Sequence, residues 1–337
     1  MRRQILGQTD LEVSQLGFGC VKLTSQPDRR DALRILEEAF AHGITHFDVA
    51  RAYGFGRAEG ILGDFLQGKR QMVTIATKVG IQPPTGLAGN RWIIDLSKKI
   101  LGPFPTLLRR AKQRGSRLVK SGAFTPAIMI QSLETSLREL RTDYVDLLLL
   151  HEATLEDTSS KPLVEALQQQ VVRGTVRALG VASAFHKLGN VFPQVPALYQ
   201  VLQFDDNVHR RNVRVARREG GRGIITHSIF KPASSLQSAI VTNGDLANWF
   251  SSQINEDLRK PSVIGSFLLH YALQSNPDGV VLFSTSDQRR ISENVQAAGS
   301  RRYNGEQICR FVDFVDAALT QASFHAEPND PSSPPTS

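Results

Sequence analysis

Eight short apolar runs alternate along the chain with stretches of helical periodicity, and this alternation constrains the fold more than any other feature. The runs cover residues 14–18, 44–49, 72–78, 144–150, 176–181, 196–204, 223–227 and 280–283. They are apolar on both faces, as strands are when buried in a parallel sheet. Between them, Asp28 is placed to cap a helix reaching His42, with Ala32, Leu33, Leu36 and Phe40 at helical spacing. Further helices are predicted from Thr125 to Leu140, over 161–173, within 207–220, and over 262–274 and 287–298. Eight such units predict an α/β protein closed as a (β/α)8 TIM barrel. A doubly wound open sheet is the alternative. No G-x-G-x-x-G follows the first strand, which weighs against it.

The barrel is expected to carry two additions. Residues 4–15 alternate around Gly7-Gln8-Thr9-Asp10 and predict an N-terminal β-hairpin. Residues 307–324 predict an extra C-terminal helix. Two stretches break the rhythm. Residues 80–123 are punctuated by Pro83, Pro84, Gly86, Gly89, Gly102, Pro103 and Pro105. They read as an insertion after the third strand, over the ligand face, with short helices around 93–100 and 105–114. Residues 231–258 read as a second, irregular and polar insertion. One barrel domain over 1–325 is expected. The stretch 326–337, rich in Pro, Ser and acid, reads as a disordered tail.

Composition narrows the class. Hydrophobic residues make up 41% of the 337, as in a soluble protein with a sizeable core. No apolar run reaches the ~18 residues of a membrane span, so no membrane association is expected. The first ten residues hold no continuous apolar stretch, and a secretory signal is not expected. Cys20 and Cys309 are the two cysteines, too few for a disulfide framework. A reducing, cytoplasmic setting fits them. The net charge of +8 comes from 40 basic and 32 acidic residues. Much of the excess lies in Arg109, Arg110, Lys112, Arg114, Arg117 and Lys120, and in Arg210, Arg211, Arg214, Arg217, Arg218 and Arg222. Neither group has the interleaved aromatics of a single-strand binder. Both read as solvated faces, and no nucleic-acid partner is expected.

The chemistry concentrates at strand ends. Asp48 ends the second strand, and Tyr53 stands in the Gly54/Gly56 loop just beyond. Lys78 ends the third strand, and His151 follows the fourth. Each alone has an ordinary use. A strand-end Asp caps a loop, and a lysine marks where a strand meets water. Together, at consecutive strand ends ~5 Å apart, they converge on the face where barrels hold their ligands. Lys78, buried against Asp48, is expected to keep its charge and to pull the Tyr53 pKa down. Tyr53 then exchanges a proton with an alkoxide or an alcohol, and a neutral His151 polarises a carbonyl. No cluster at metal-ligand spacing is visible, so no metal is expected. No serine nucleophile elbow is visible either.

These residues resemble the aldo-keto reductase family over nearly the whole chain. Phe47-Asp48-Val49-Ala50, Tyr53-Gly54-Phe55-Gly56, Glu59 and Leu62-Gly63 follow the family pattern at its spacing. Ile75-Ala76-Thr77-Lys78 is similar to the lysine strand, and Asp143-Tyr144-Val145-Asp146 with Leu147-Leu148-Leu149-Leu150-His151 to the histidine strand. The resemblance implies a catalytic tetrad of Asp48, Tyr53, Lys78 and His151. It also implies NADPH-dependent reduction of a small carbonyl compound, with Tyr53 protonating the oxygen. NADH is the alternative cofactor. Ser183 and Gln203 fall where the family holds the nicotinamide carboxamide. His227, followed by Ser228, stands where an aromatic, usually Tyr, stacks on the ring. Imidazole covers less area and titrates. Ser284 and Thr285 open the segment that resembles the adenosine-phosphate site. Arg290 and Asn294 match its 2′-phosphate and adenine positions. Some members carry a lysine where this chain has Ser284.

Two further readings accompany the reductase. One is an NAD(P)-linked sugar or alcohol dehydrogenase running oxidatively. The other is a nucleotide-binding sensor or partner subunit with little turnover, to which Ala182 and His227 lend weight. Relatives include monomers and, among members with insertions, dimers and larger rings, so a homo-oligomer is an open expectation. Phe55, Trp92 and Phe185 are candidate pocket walls, and Cys20 a candidate accessible thiol near the mouth.

Overall fold

The structure, a computed structural model, describes residues 1–82, 124–217, 220–242, 244–300 and 302–324. Most of the first predicted insertion, with Trp92 and the arginine-rich stretch at 109–120, lies outside the described residues, as does the tail.

Two strands, β1 (Arg3–Ile5) and β2 (Glu12–Ser14), form an antiparallel hairpin. Eight parallel strands then close a barrel. They are β3 (Leu16–Gly19), β4 (His46–Asp48), β5 (Thr74–Val79), β6 (Val145–His151), β7 (Val176–Ala182), β8 (Val201–Asp205), β9 (Gly223–His227) and β10 (Val280–Phe283). Strand β10 pairs with both β9 and β3, which closes the ring. The predicted (β/α)8 barrel and its N-terminal hairpin are therefore the observed fold.

The helices are α1 (Arg29–Ala41), α2 (Arg57–Phe65), α3 (Pro126–Leu140), α4 (Leu155–Ser159), α5 (Lys161–Val172) and α6 (Phe185–Leu188). After them come α7 (Val213–Ala216), α8 (Ala233–Thr242), α9 (Gly244–Ile254), α10 (Pro261–Ser275), α11 (Gln288–Gly299) and α12 (Gly305–Phe324). Local chemistry starts the long ones. The Asp28 carboxylate accepts from Asp31 N at 2.8 Å, and Thr125 caps α3 ahead of Pro126. Asp287 accepts from Arg289 N at the head of α11. Along α1, buried Ala32, Ile35, Leu36 and Ala39 recur every three or four residues and set its inner face.

Alternation along the strands builds two shells of core. In β6, Leu148 and Leu150 face the helices, while Leu147 and Leu149 fill the barrel with Ala76, Ala178, Val201 and Ile225. Leu6, Leu11 and Val13 of the hairpin join that inner cluster and seal the base. The seal is tight at Gly7 (φ 57), where a Cβ would stand 2.1 Å from Gly223 N. Asp146, the polar residue of β6 ahead of His151, is buried as a brace. It accepts from Ile75 N at 2.8 Å and pairs with Arg70 at 2.8 Å and Arg177 at 2.9 Å.

One sequence expectation is corrected. Residues 231–258 are not irregular. They form α8 and α9, and bury Leu236, Ile240, Ala247, Phe250 and Ile254 with Phe267, Phe311 and Phe314 of α10 and α12 in a second core. Serine, asparagine and glutamine on the outer faces hid this spacing. The basic helix predicted within 207–220 is the four-residue α7. Its flanking arginines are tied internally: Arg210 to Asp205, Arg211 to Asp316, Arg217 to Asp278, and Arg222 to the carbonyls of Phe192 and Val195.

Candidate active site

The register of the barrel decides which side chains meet. Asp48 pairs across β4 and β5 with Ala76, two residues before Lys78. His151, Ala182 and Gln203 are in register across β6, β7 and β8. All therefore reach the carboxyl-end face. A pocket of about 300 Å³ opens there, lined by Asp48, Tyr53, Lys78, His151, Ser183, Gln203, His227, Ser228 and Ser284 among others.

Lys78 is the hub. Its Nζ donates to Asp48 Oδ1 at 2.5 Å, to the Val49 carbonyl at 3.2 Å and to Tyr53 Oη at 3.3 Å. Three partners use all three ammonium donors. Burial works most strongly against the charge, but Asp48 and Tyr53 together outweigh it and the Lys78 pKa is raised. The other oxygen of Asp48 accepts from Gln203 Nε2 at 2.9 Å. The Tyr53 ring stands edge-on to His151 at 6.3 Å between centroids.

Two pKa shifts frame the chemistry. Burial, helped by Lys78, pushes His151 down to about 3, so it is neutral across the ordinary pH range. Tyr53 corrects the sequence expectation. Burial of the phenol outweighs the attraction of Lys78, and the net shift is upward. Tyr53 is thus a protonated phenol at neutral pH.

The positions predicted for a cofactor divide into two groups. Ser183 Oγ donates to the Ala153 carbonyl at 2.9 Å, leaving its lone pairs free to accept. Gln203 Oε1 and Ser284 Oγ are buried without partners. The His227 ring meets Ser228 Oγ at 2.9 Å, and burial lowers its pKa. These residues all line the pocket. Thr285, Arg290 and Asn294 do not. Thr285 Oγ1 accepts from Asp287 N at 3.1 Å and shapes the turn into α11. Arg290 is exposed in the first turn of α11, and Asn294 lies one turn further on, half-buried.

Some expected walls fall elsewhere. Phe185 packs on Phe192 and Phe204, and Cys20 is buried rather than accessible, its thiol pKa raised by burial. The sequence reading missed Glu152, which lines the pocket at φ 61 and pairs with Lys187 at 2.5 Å. It also passed over the use of Glu59, whose signal was a lone acid within Ala58, Gly60 and Ile61. Among the described residues, no group of three His, Cys, Asp or Glu side chains is arranged to hold a metal. Nor is any described helix long and apolar enough to cross a membrane.

The strand-end mouth of a closed parallel barrel thus gathers a lysine–aspartate pair, a tyrosine and a neutral imidazole around one pocket. Residues 15–188 match the model of the aldo/keto reductase family, and the chain belongs to that family. It is accordingly an NAD(P)H-dependent oxidoreductase. It is 29% identical over 329 residues to the uncharacterised oxidoreductase YqkF of Bacillus subtilis (strain 168), covering 91% of this chain and 94% of that one. It is 31% identical over 184 residues to 6-dehydroglucose reductase of Agrobacterium fabrum, covering 51% of each. Its fold superposes on the holo form of an aldo-keto reductase from Bacillus halodurans with a TM-score of 0.68 at 21% identity, covering 93% and 96% of the two chains. Against the glycerol dehydrogenase of Gluconobacter oxydans the TM-score is 0.67 at 17% identity, covering 99% of both. At those identities the likeness is one of fold.

Proposed function

We propose that this protein reduces the carbonyl of an aldehyde, ketone or sugar to an alcohol with NADPH, and that Tyr53 is the general acid. One observation carries the reading: Tyr53 Oη lies 3.3 Å from a lysine held charged by Asp48, beside a neutral His151, in one pocket. The protonated Tyr53 is the form a reduction consumes. His151 directs an uncharged N–H at the carbonyl oxygen and polarises it. Lys78 stabilises the phenolate left behind, and Asp48 keeps Lys78 charged.

The unpartnered Gln203 Oε1 and Ser284 Oγ fit a ligand rich in amide and hydroxyl groups. Ser183, Gln203, His227 and Ser228 would hold the nicotinamide end, and Ser284, Thr285, Arg290 and Asn294 the adenosine-phosphate end. A bound nicotinamide supplies the hydride. Arg290, exposed at the start of a helix, suits a 2′-phosphate, which is the reason for preferring NADPH over NADH.

The test is a titration with NADPH and NADH followed by an aldehyde panel. Tighter NADPH, and a loss of about 10²- to 10⁴-fold in kcat for Tyr53→Phe, are expected. No binding of either nucleotide sinks the reading. Binding with full activity in Tyr53→Phe sinks the acid role.

A further inference from the structure

We propose that Glu59 is a positioning residue for the proton transfer, setting the spacing of Tyr53 and Lys78 through two separate hydrogen bonds. The inference rests on the reading of Tyr53 as the acid and Lys78 as its partner.

Glu59 lies in the first turn of α2 and is fully buried. A helix N-terminus favours a carboxylate there. Two elements meet on it. Arg51 Nη1 donates to Oε2 at 2.8 Å, and Thr77 Oγ1 donates to Oε1 at 2.7 Å. Arg51 stands between Asp48 and Tyr53 in the chain, and Thr77 directly precedes Lys78. One carboxylate thus grips the loop that carries the phenol and the strand that carries the ammonium. Arg51, Glu59 and Thr77 are absent from the pocket lining, so they act through Tyr53 and Lys78.

The Tyr53 loop needs holding. Gly54, Phe55 and Gly56 follow it with φ of 57, 58 and 83, three consecutive left-handed residues. Glycine adopts that conformation freely, but Phe55 is strained in it. The Arg51 guanidinium supports the turn, with Nη1 3.4 Å from where a Gly56 Cβ would stand. On the other face, Gly54 is pressed so closely that a Cβ would meet Thr24 Cγ2 at 2.1 Å. On β5, alternation sends Lys78 into the barrel and Thr77 out to α2. Gripping Thr77 therefore fixes the orientation of the strand end without entering the site. A strained turn and a strand end relax independently when released. The 3.3 Å between Tyr53 Oη and Lys78 Nζ is what their common anchor maintains.

The experiment measures reduction of 4-nitrobenzaldehyde by NADPH across pH for Glu59→Gln, Thr77→Val, Thr77→Ser and Tyr53→Phe. Glu59→Gln turns an amide toward Arg51, and Thr77→Val removes the other hydrogen bond. Each is expected to lower kcat about 10- to 100-fold with KM for NADPH unchanged. Each should also move the alkaline limb of the rate to higher pH, because a more distant Lys78 lowers the Tyr53 pKa less. Thr77→Ser should restore both. Loss of folded enzyme lowers the rate at every pH and leaves the limb in place. An unchanged kcat, or a reduced kcat with an unmoved limb, therefore overturns the proposal. If Glu59→Gln does not fold, the two Thr77 variants decide by the same readouts. Tyr53→Phe separates the two levels. Full activity there removes the acid role, and this proposal with it. Inactivity there, beside normal Glu59→Gln and Thr77→Val, removes the positioning role alone.

Discussion

Asp48 serves two donors from different strands, Lys78 on β5 and Gln203 on β8, one on each oxygen. A carboxylate with both oxygens committed is held in orientation as well as in charge, and it links the lysine to the pocket wall beside it. The residue types and strand-end positions of this group were legible in the sequence, because a barrel sends its strand ends to one face whatever its loops do. The sign of the Tyr53 shift was not. Spacing reveals that a lysine is near, but the opposing desolvation depends on everything packed around the phenol. His227 gives the prediction at this scale. Burial holds it neutral at pH 7, so NADPH affinity should be flat from pH 7 to 8. His227→Tyr should tighten NADPH about 2- to 10-fold through the larger stacking area. Fluorescence titration of both proteins checks this, and unaltered affinity would mean that the position does not stack.

At the scale of elements, α8 and α9 were the misreading. Leu236 and Ile240, then Ala247, Phe250 and Ile254, recur at helical intervals, but the polar residues between them lowered the apolar density below notice. Helices with narrow apolar stripes are set by what they pack on, and their partners in α10 and α12 follow later in the chain. Phe250 stacks on Phe314 at 5.0 Å and is fully buried. Phe250→Ala should cost about 3–5 kcal/mol, measured by urea unfolding. A polar surface insertion would lose almost nothing. In the basic stretch at 210–222 it was the ion-pair partners that the sequence did not reveal. Its charges were visible, but Asp278 and Asp316, which neutralise two of them, are far away in sequence.

For the whole molecule, closure followed from counting strands, whereas the electrostatics of the interior did not. His46 lies inside the barrel, fully buried, with Nδ1 3.0 Å from Thr74 Oγ1. Burial lowers its pKa to about 4, and that of His151 to about 3. Both groups bind a proton more readily once unfolded, near the free value of about 6.5. The unfolded chain therefore takes up protons first, and stability is complete above pH 6.5 and lost as pH falls toward 4. For His46 the loss approaches ~3 kcal/mol by pH 4, at ~1.4 kcal/mol per pKa unit. Unfolding free energies at pH 7, 5.5 and 4.5 should fall in that order, and His46→Asn should flatten the slope. A slope unchanged by the substitution would assign the acid sensitivity to other groups.

The hairpin at the foot of the barrel has a mechanical consequence. Leu6, Leu11 and Val13 join the cluster that fills the barrel interior, and none of them lines the pocket at the strand ends. Loosening the hairpin should therefore weaken the fold without reshaping the site.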